Sequence, residues 1–303
     1  MTGVREFLEQ WKKQNSICAR AMSQRRRALA FVGDARGQHR GYCAEANIRA
    51  EVCAQTGAAR SILLVRLSVA DRIKNLLPAN LYYPYKIGRE LRGVEPELAL
   101  LGQLVPAGCT AIDVGANRGY YAWALAGVAA TVEAFEPNPV LARFAQTKLG
   151  SRVRLHEVAL SDHEGVATLY VPRRASGLSL HIIGNLGNVY AQDNVDEIQV
   201  RIATLDSYGL ENVGFIKIDV EGSEMEVLAG ARETIRINRP IMLIELLAGI
   251  HEDHLARIEQ IKNDFCYHAW IVIGRQKFEA KLALAEMEPL RKTSNILFTP
   301  AAR

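Results

Sequence analysis

A glycine corner in the first half of the chain has the residue types that point most directly to chemistry. Residues 109–114 have the apolar pattern of a strand, and Gly115 and Gly119 frame the turn that follows. Glycines permit a tight turn and let a ligand approach the backbone closely. Their G-x-x-x-G spacing is neither the dinucleotide fingerprint nor a P-loop. Asp113 would repel a pyrophosphate but suits a ligand with an ammonium and a sulfonium, such as S-adenosylmethionine; the alternative is a plain βα turn capped by Asp113.

A second acid follows the next predicted strand. Glu136 lies about twenty residues after Gly115, which is the spacing expected for an acid that binds ribose hydroxyls. Pro137 fixes the turn and can begin a helix. Glu133 lies inside the strand at an odd spacing from Glu136, so the two side chains should point to opposite faces. Glu136 is therefore the predicted ribose ligand.

The end of the third predicted strand is expected to pass an adenine ring. Leu160 can pack on such a ring, and Asp162 or a backbone group can meet its exocyclic amine. Asp162 has an alternative role, since it can also cap the turn before Gly165. Leu160 and Asp162 complete the predicted cofactor contacts at this end.

Two more carboxylates follow the strand predicted over residues 213–220. Asp219 lies near its end, Glu221 follows, and Ser223 is available as a helix N-cap. Lys217 shares a strand face with Asp219, so it could pair with that carboxylate or position a substrate oxygen. The alternative is a purely structural ion pair beside a carboxylate that caps the helix.

These motifs lie on alternating strands and helices. The order βαβαβ is typical of a mostly parallel sheet with helices on both faces. Further strands are predicted after a Gly- and Asn-rich stretch, residues 175–194, which is interpreted as a substrate-side lid. A helix is predicted over residues 224–238, and the final strand, 295–299, is expected as an antiparallel insertion at the sheet edge. Residues 81–85 are expected to form a loop held by aromatic packing or to line a substrate entrance.

Composition excludes several classes of protein. The chain has 303 residues, of which 49% are hydrophobic and 23% charged, as in a folded globular protein. No window approaches the ~18 to 20 apolar residues of a transmembrane helix, and residues 1–10 are charged where a signal peptide needs an apolar core. The five cysteines form no C-x-x-C pair, which disfavours a disulfide framework or a structural zinc site and favours a cytoplasmic location.

The basic charge of the chain is concentrated at its start. Residues 1–60 hold 11 Lys and Arg against 5 Asp and Glu, whereas the whole chain has a net charge of +4. The run Arg25-Arg26-Arg27 has no interleaved aromatic residues, so no nucleic-acid partner is expected. We expect a basic N-terminal extension, partly helical or poorly ordered, over residues 1–75 and a second domain over residues 76–303.

Several blocks together resemble the FkbM family of S-adenosylmethionine-dependent methyltransferases. They are DVGANRGYY within residues 112–122, FEPNP at 135–139, ALSD at 159–162, TLD at 204–206 and IKIDVEGSEMEVLAGA at 216–231, followed by elements at 239–245 and 294–298. The resemblance implies a class I methyltransferase fold, a Rossmann-like doubly wound sheet that is mostly parallel with an antiparallel last strand. It also implies O-methylation of a hydroxyl on a sugar, glycan or polyketide-type small molecule. The cofactor residues that it implies are Asp113, Gly115, Asn117, Gly119 and Glu136.

An acceptor hydroxyl needs a group that takes its proton. Candidates are expected after the fourth and fifth strands of the sheet, namely Asp219, Glu221, Glu245 and His251. Asp219 or Glu221 would orient the acceptor, and a carboxylate or His251 would take the proton. The three carboxylates could also converge on Mg²⁺, but nothing in their spacing requires a metal, and none is expected.

Two other functions remain open at this point. An NAD(P)-dependent oxidoreductase shares the sheet and the ribose acid but lacks the required glycine spacing here. A non-catalytic binding protein could retain the cofactor fold, although it would have no need of Asp219 and Glu221 together with the cofactor acids.

Overall fold

The computed structural model describes residues 76–90, 95–172, 186, 195–246, 254–273, 276–280 and 295–302. Three predicted features lie outside these residues. They are the N-terminal extension 1–75, the lid 175–194 except for Leu186, and the candidate base His251.

The described chain alternates strands with short helices. The strands are β1 Thr110–Val114, β2 Thr131–Phe135, β3 Val153–His156, β4 Ala159–Leu160, β5 Gly165–Pro172, β6 Val195–Ala203, β7 Val213–Ile218, β8 Ile241–Glu245, β9 Tyr267–Ile273, β10 Gln276–Glu279 and β11 Asn295–Pro300. The α-helices are α1 Ala79–Glu90, α2 Leu101–Leu104, α3 Tyr120–Leu125, α4 Pro139–Gln146, α5 Glu224–Ala229, α6 Arg232–Asn238 and α7 His254–Phe265. Two 3-10 helices cover Pro96–Leu100 and Asp206–Tyr208.

Eight strands form the main sheet, in the spatial order β10-β9-β11-β8-β7-β1-β2-β3. The β3-β2-β1-β7-β8 pairs are parallel, whereas β11 runs antiparallel to both β8 and β9. The predicted α/β fold, mostly parallel with an antiparallel last strand, is confirmed. β2 and β3 lie on one side of β1, and the later strand β7 lies on its other side. Ligands bind at such switch points, beyond the carboxyl ends of the strands.

The position of the last strand within the sheet differs from the prediction. β11 is predicted at the edge but lies between β8 and β9. Ile296, Leu297 and Phe298 are all fully buried, and a continuous apolar run of this kind is typical of a strand that is covered on both faces. β10, which is not predicted, forms the edge instead.

A separate three-stranded sheet, β4-β6-β5, is inserted between β3 and β7. The helix predicted over residues 224–238 is divided into α5 and α6 beside this sheet. A Cβ on Gly230 would lie 2.0 Å from the carbonyl oxygen of Ser161. The glycine therefore permits close contact between the chain after β4 and the break between the two helices.

Residues 81–85 belong to helix α1, not to a loop. Tyr82 and Tyr83 are buried, and their rings pack on Phe144 and Trp123 at centroid distances of 5.2 and 5.5 Å. The Tyr83 hydroxyl donates to the carbonyl oxygen of Arg118 at 3.0 Å. The tyrosines thus support the glycine corner from behind, and aromatic packing is the part of the prediction that holds.

The amino-terminal edge of the sheet is fastened by well-formed polar contacts. Asn238 accepts a hydrogen bond from the Val213 N–H at 3.0 Å. The Arg239 guanidinium donates to the carbonyl oxygens of Phe265, Cys266 and Ala301 at 3.1, 3.2 and 2.9 Å. One arginine therefore joins the start of β8 to the start of β9 and the end of β11.

None of the described helices has both the length and the apolar character that a bilayer span requires.

Candidate active site

The carboxyl ends of β1, β2, β7 and β8 surround one cavity. It holds about 770 Å³ of empty space, including its open mouth. Its polar lining includes the carboxyl groups of Glu136, Asp219, Glu221 and Glu245. Among the described residues that line it there is no Lys or Arg, so the cavity favours a cationic ligand over a pyrophosphate.

The glycine corner lies on this cavity through Gly115. Gly115 has φ +79°, and a Cβ there would lie 1.8 Å from the carbonyl oxygen of Asp219. The N–H groups of Gly115 and Ala116 both donate to the Phe135 carbonyl, at 3.0 and 2.9 Å. Glycine is therefore required by the close approach of the chain after β7, a reason that differs from the predicted ligand contact.

Gly119 is the N-cap residue of helix α3 and has φ +80°. A Cβ on it would lie 3.1 Å from both Leu149 Cδ1 and the Tyr83 hydroxyl. These neighbours belong to the packing around α1 and α4, and Gly119 is not among the cavity-lining residues. Its place in the structure is that of a packing residue, so a direct cofactor contact by Gly119 stays a prediction.

Glu136 is held in the cavity wall by two backbone donors. Its Oε2 accepts from the Asn117 N–H at 2.7 Å, and its Oε1 accepts from the Asn138 N–H at 2.8 Å. Burial raises the pKa of Glu136 to about 7, although these hydrogen bonds act in the opposite direction. Each oxygen retains a free lone pair for a hydroxyl donor.

Glu133 points to the opposite face, as predicted. Its carboxylate pairs with Arg154 at 2.6 Å and with His156 at 2.8 Å. It is therefore a natural comparison residue for Glu136.

The end of the cavity nearest β4 is apolar. Its wall comes mainly from the inserted sheet, including β4, and from α4. It consists of Leu141, Val158, Ala159, Leu160, Leu169 and Leu186. Leu160 lies in the wall as predicted, but Asp162 lies outside it. The Asp162 side chain is half exposed and pairs with His163 at 2.6 Å, which lowers its pKa. The Ser161 N–H donates to the Ala203 carbonyl at 2.9 Å, one residue beyond the end of β4, and Asp162 begins the exposed turn.

Asp219 and Glu245 form a hydrogen-bonded pair of carboxyl groups in the cavity. Burial alone would raise the pKa of Asp219, but Lys217 at 2.7 Å and the bond to Glu245 bring it below its ordinary value. Burial, followed by the charge of Asp219, raises the pKa of Glu245 to about 9. The two carboxyl groups therefore titrate as a pair, of which Asp219 is the more acidic member.

Glu221 and Glu224 follow in the turn before α5. Glu221 lines the cavity and has φ +55°, in the left-handed region. The Gly222 N–H donates to Glu224 Oε1 at 2.9 Å. Ser223 occupies the predicted N-cap position, but its side chain makes no capping hydrogen bond. The buried Glu224 carboxylate accepts the hydrogen bond from the turn instead.

Asp113 is placed behind the cavity. It is fully buried on β1, opposite Lys217 of β7, and does not line the cavity. Burial raises its pKa to about 6, while Lys217 lowers it. Its oxygens accept no hydrogen bond of good geometry from the described residues, although the Ala122 N–H helps to lower the pKa. A direct cofactor contact by Asp113 stays a prediction.

Sequence reasoning missed two further acids near Lys217, the partly buried Glu95 and the buried Glu97. Glu95 Oε1 accepts from the Tyr120 hydroxyl at 2.6 Å, and burial raises the pKa of Glu95. Glu97 accepts from the Asn295 side-chain amide, and burial raises its pKa to about 7. The sequence feature that could have identified them is the presence of two acids beside the apolar run 98–101.

In the described ranges, no group of three or more His, Cys, Asp or Glu side chains has the arrangement of a metal site.

The sheet order, the antiparallel β11 and the acid-lined cavity at the carboxyl edge define a class I methyltransferase fold, Rossmann-like and doubly wound. The chain belongs to the FkbM family of S-adenosylmethionine-dependent methyltransferases, since the family's sequence model, described as the methyltransferase FkbM domain, matches residues 113–265. Family membership removes the oxidoreductase alternative.

Two curated relatives are methyltransferases by name. The chain is 31% identical over 145 residues to the 2-O-methyltransferase NoeI of Sinorhizobium fredii, covering 42% of this chain and 59% of that protein. It is 32% identical over 157 residues to the 31-O-demethyl-FK506 methyltransferase FkbM of Streptomyces tacrolimicus, covering 42% and 60%. The match thus spans about three fifths of each relative. A solved methyltransferase FkbM from Methylobacillus flagellatus is 16% identical with a TM-score of 0.41, covering 70% of this chain and 60% of that one.

Proposed function

We propose that this protein transfers a methyl group from S-adenosylmethionine to a hydroxyl of a sugar, glycan or polyketide-type small molecule. The observation that carries the proposal is the cavity lining: four carboxyl groups and, among its described residues, no basic side chain. The names of these two relatives also describe O-methyl transfer or its acceptor.

The residues present fit the cofactor. Glu136 offers two oriented carboxylate oxygens to ribose hydroxyls, and the leucine wall around Leu160 suits an adenine ring. Gly115 and Asn117 line the intervening corner. When bound, S-adenosylmethionine supplies an electrophilic methyl group on a sulfonium, which the surrounding carboxylates favour electrostatically.

The protein's own contribution is alignment and acceptance of a proton. Holding the acceptor oxygen in line with the methyl group is worth on the order of 7 to 11 kcal/mol, and a general base contributes about 10² to 10⁴ in rate. Asp219, Glu221 and Glu245 all face the cavity where such a base is needed. His251 remains a further candidate that lies outside the described residues.

Titration calorimetry with S-adenosylmethionine and S-adenosylhomocysteine tests donor binding. Binding of both is expected, with no heat from NADH. Glu136→Gln should weaken binding about 10- to 100-fold, because the amide cannot accept two ribose hydroxyls equally well, whereas the matched Glu133→Gln should bind normally. Folded protein that gives no heat with either compound contradicts the proposal.

The acceptor is then sought with a labelled methyl donor. Cell extract is incubated with the protein and isotopically labelled S-adenosylmethionine, and mass spectrometry identifies the labelled products. Label on an ether oxygen of a small molecule or glycan is expected. Label found on nitrogen or carbon would overturn the O-methyl assignment while leaving the family intact.

A further inference from the structure

Lys217 is buried directly beneath Asp219. Its side chain is 3% exposed, against 23% for Asp219, and its Nζ lies 2.7 Å from Asp219 Oδ2. The ammonium also lies 4.6 Å from the centre of the Tyr121 ring. Asp219 can therefore be reached from the cavity, whereas Lys217 can act there only through Asp219.

We propose that Asp219 takes the proton of the acceptor hydroxyl, that Glu245 keeps its own proton and donates a hydrogen bond to Asp219, and that Lys217 is the positioning residue that fixes this division of roles. The inference rests on the proposed function. It selects one base among the candidates and adds a residue that does not touch the substrate.

The geometry supports this assignment because two carboxyl groups in hydrogen-bond contact favour a state with one proton between them. The nearer cation decides which group stays ionised, and Lys217 contacts Asp219. The titratable groups that face this pair from the surrounding elements are otherwise acids or tyrosines: Asp113 on β1, Glu95 before the 3-10 helix, Tyr120 and Tyr121 on α3, Glu136 after β2, and Glu221 and Glu224 around the start of α5. The other groups around the Asp219–Glu245 pair are therefore largely acidic, and Lys217 is the cation that contacts Asp219.

The proton step balances in atoms and charge. The acceptor oxygen forms its bond to the methyl carbon, the carbon–sulfur bond breaks, and its electron pair stays on sulfur. The hydroxyl proton passes to Asp219, which becomes neutral as the sulfonium becomes a neutral thioether. Asp219, now flanked by a protonated Glu245 and the Lys217 ammonium, releases that proton to water after the product leaves.

Carboxyl titration by ¹³C NMR tests the assignment without donor or acceptor. Signals are assigned by their loss in Asp219→Asn and Glu245→Gln. In the wild type, the Asp219 signal should titrate below the ordinary Asp range and the Glu245 signal near pH 9. In Lys217→Met the Asp219 titration should move up by at least one pH unit, and Lys217→Arg should restore it. An unchanged Asp219 titration in Lys217→Met overturns the role of Lys217.

Rates with an acceptor found by methyl labelling give a second measurement, which does not need Lys217→Met to fold. Asp219→Asn should lose at least 100-fold in kcat at every pH. Glu245→Gln should lose less than 10-fold, because its amide N–H still donates to Asp219, and its pH profile should lack the alkaline limb near pH 9. The reverse order of losses overturns the assignment. A wild type that neither binds nor transfers the methyl group counts against the proposed function instead, and leaves the titration result to stand by itself.

Discussion

The two edges of the main sheet are built in opposite ways. At the amino-terminal edge, donors and acceptors are matched, as in the Arg239 contacts to three carbonyl groups. At the carboxyl-terminal edge, the buried Asp113 and the partly buried Glu245 have raised pKa values, chiefly because they are shielded from water. Asn117 and Glu221 there adopt positive φ. Stability is thus concentrated at one edge and reactivity at the other, the usual division in enzymes whose sites carry local strain.

The largest expected effect separates the two edges by rate. Asp219→Asn should lower methyl transfer by about 10² to 10⁴, because the amide cannot take a proton, whereas Arg239→Ala should change the rate less than threefold in protein that remains folded. Steady-state kinetics with the acceptor identified by labelling measures both. A large loss of rate in Arg239→Ala would show that the two edges are coupled.

Gly115→Ala should damage stability and the site together. The new Cβ would lie 1.8 Å from the Asp219 carbonyl, in a backbone conformation that alanine disfavours, so we expect a loss of about 3 kcal/mol or more. Urea unfolding and donor calorimetry measure the two effects. Gly209→Ala is a suitable control, since Gly209 also has positive φ but has nothing within 4 Å of a Cβ. Equal losses in both variants would attribute the effect to φ alone.

The buried acids predict a dependence of stability on pH. Burial raises the pKa of Glu97 to about 7, so the folded state holds its proton more tightly than the unfolded state. The stabilisation is complete below the ordinary Glu pKa, near 4.5, and is lost as the pH rises through 7. A shift of this size corresponds to about 3 kcal/mol.

Chemical unfolding between pH 4 and 9 measures this dependence. Glu97→Gln should flatten the decline between pH 4.5 and 7, because glutamine does not titrate. Glu226→Gln, at an exposed position on α5, should leave the profile as it is. A wild-type stability that rises over the same interval would contradict the pKa direction.

The smallest expected effect concerns the amino-terminal edge. Arg239→Ala should cost about 2 kcal/mol of unfolding free energy, since three carbonyl groups lose a charged donor. Arg236→Ala, which removes only an exposed pair with Glu233, should have no measurable effect. Urea unfolding compares them, and equal stability of both variants would show that the Arg239 contacts are not important for the fold.

The sequence pattern predicted those features of the molecule that depend only on spacing within a short segment. The strand ends at Glu136 and Asp219, and the opposite orientation of Glu133, follow from spacing along one strand. The direction of Asp162 depends on how far the β4–β6 pairing extends, and the break at Gly230 depends on contact with Ser161. Such features come from tertiary contacts between distant segments.

The same dependence on tertiary contacts determines which charged residues come together. Lys217 and Asp219 were recognised as possible partners because they are two apart on one strand. Glu95 and Glu97 precede β1 in sequence and reach the site only through the 3-10 helix and contacts with Tyr120 and Asn295. Their role in the acidic surround could not be derived from spacing alone.

The wall that the small sheet gives to the cavity has an evolutionary consequence. Strands β4, β5 and β6 form a module inserted between β3 and β7. Leu169 of this module and Leu186, which packs against it, line the cavity, and the chain after β4 meets the helix break at a position without a side chain, Gly230. Chimaeras that exchange this module between relatives can therefore diversify the pocket while Asp219 and Glu245 keep their places at the ends of the main-sheet strands. The condition is that the recipient keeps glycine at the position of Gly230.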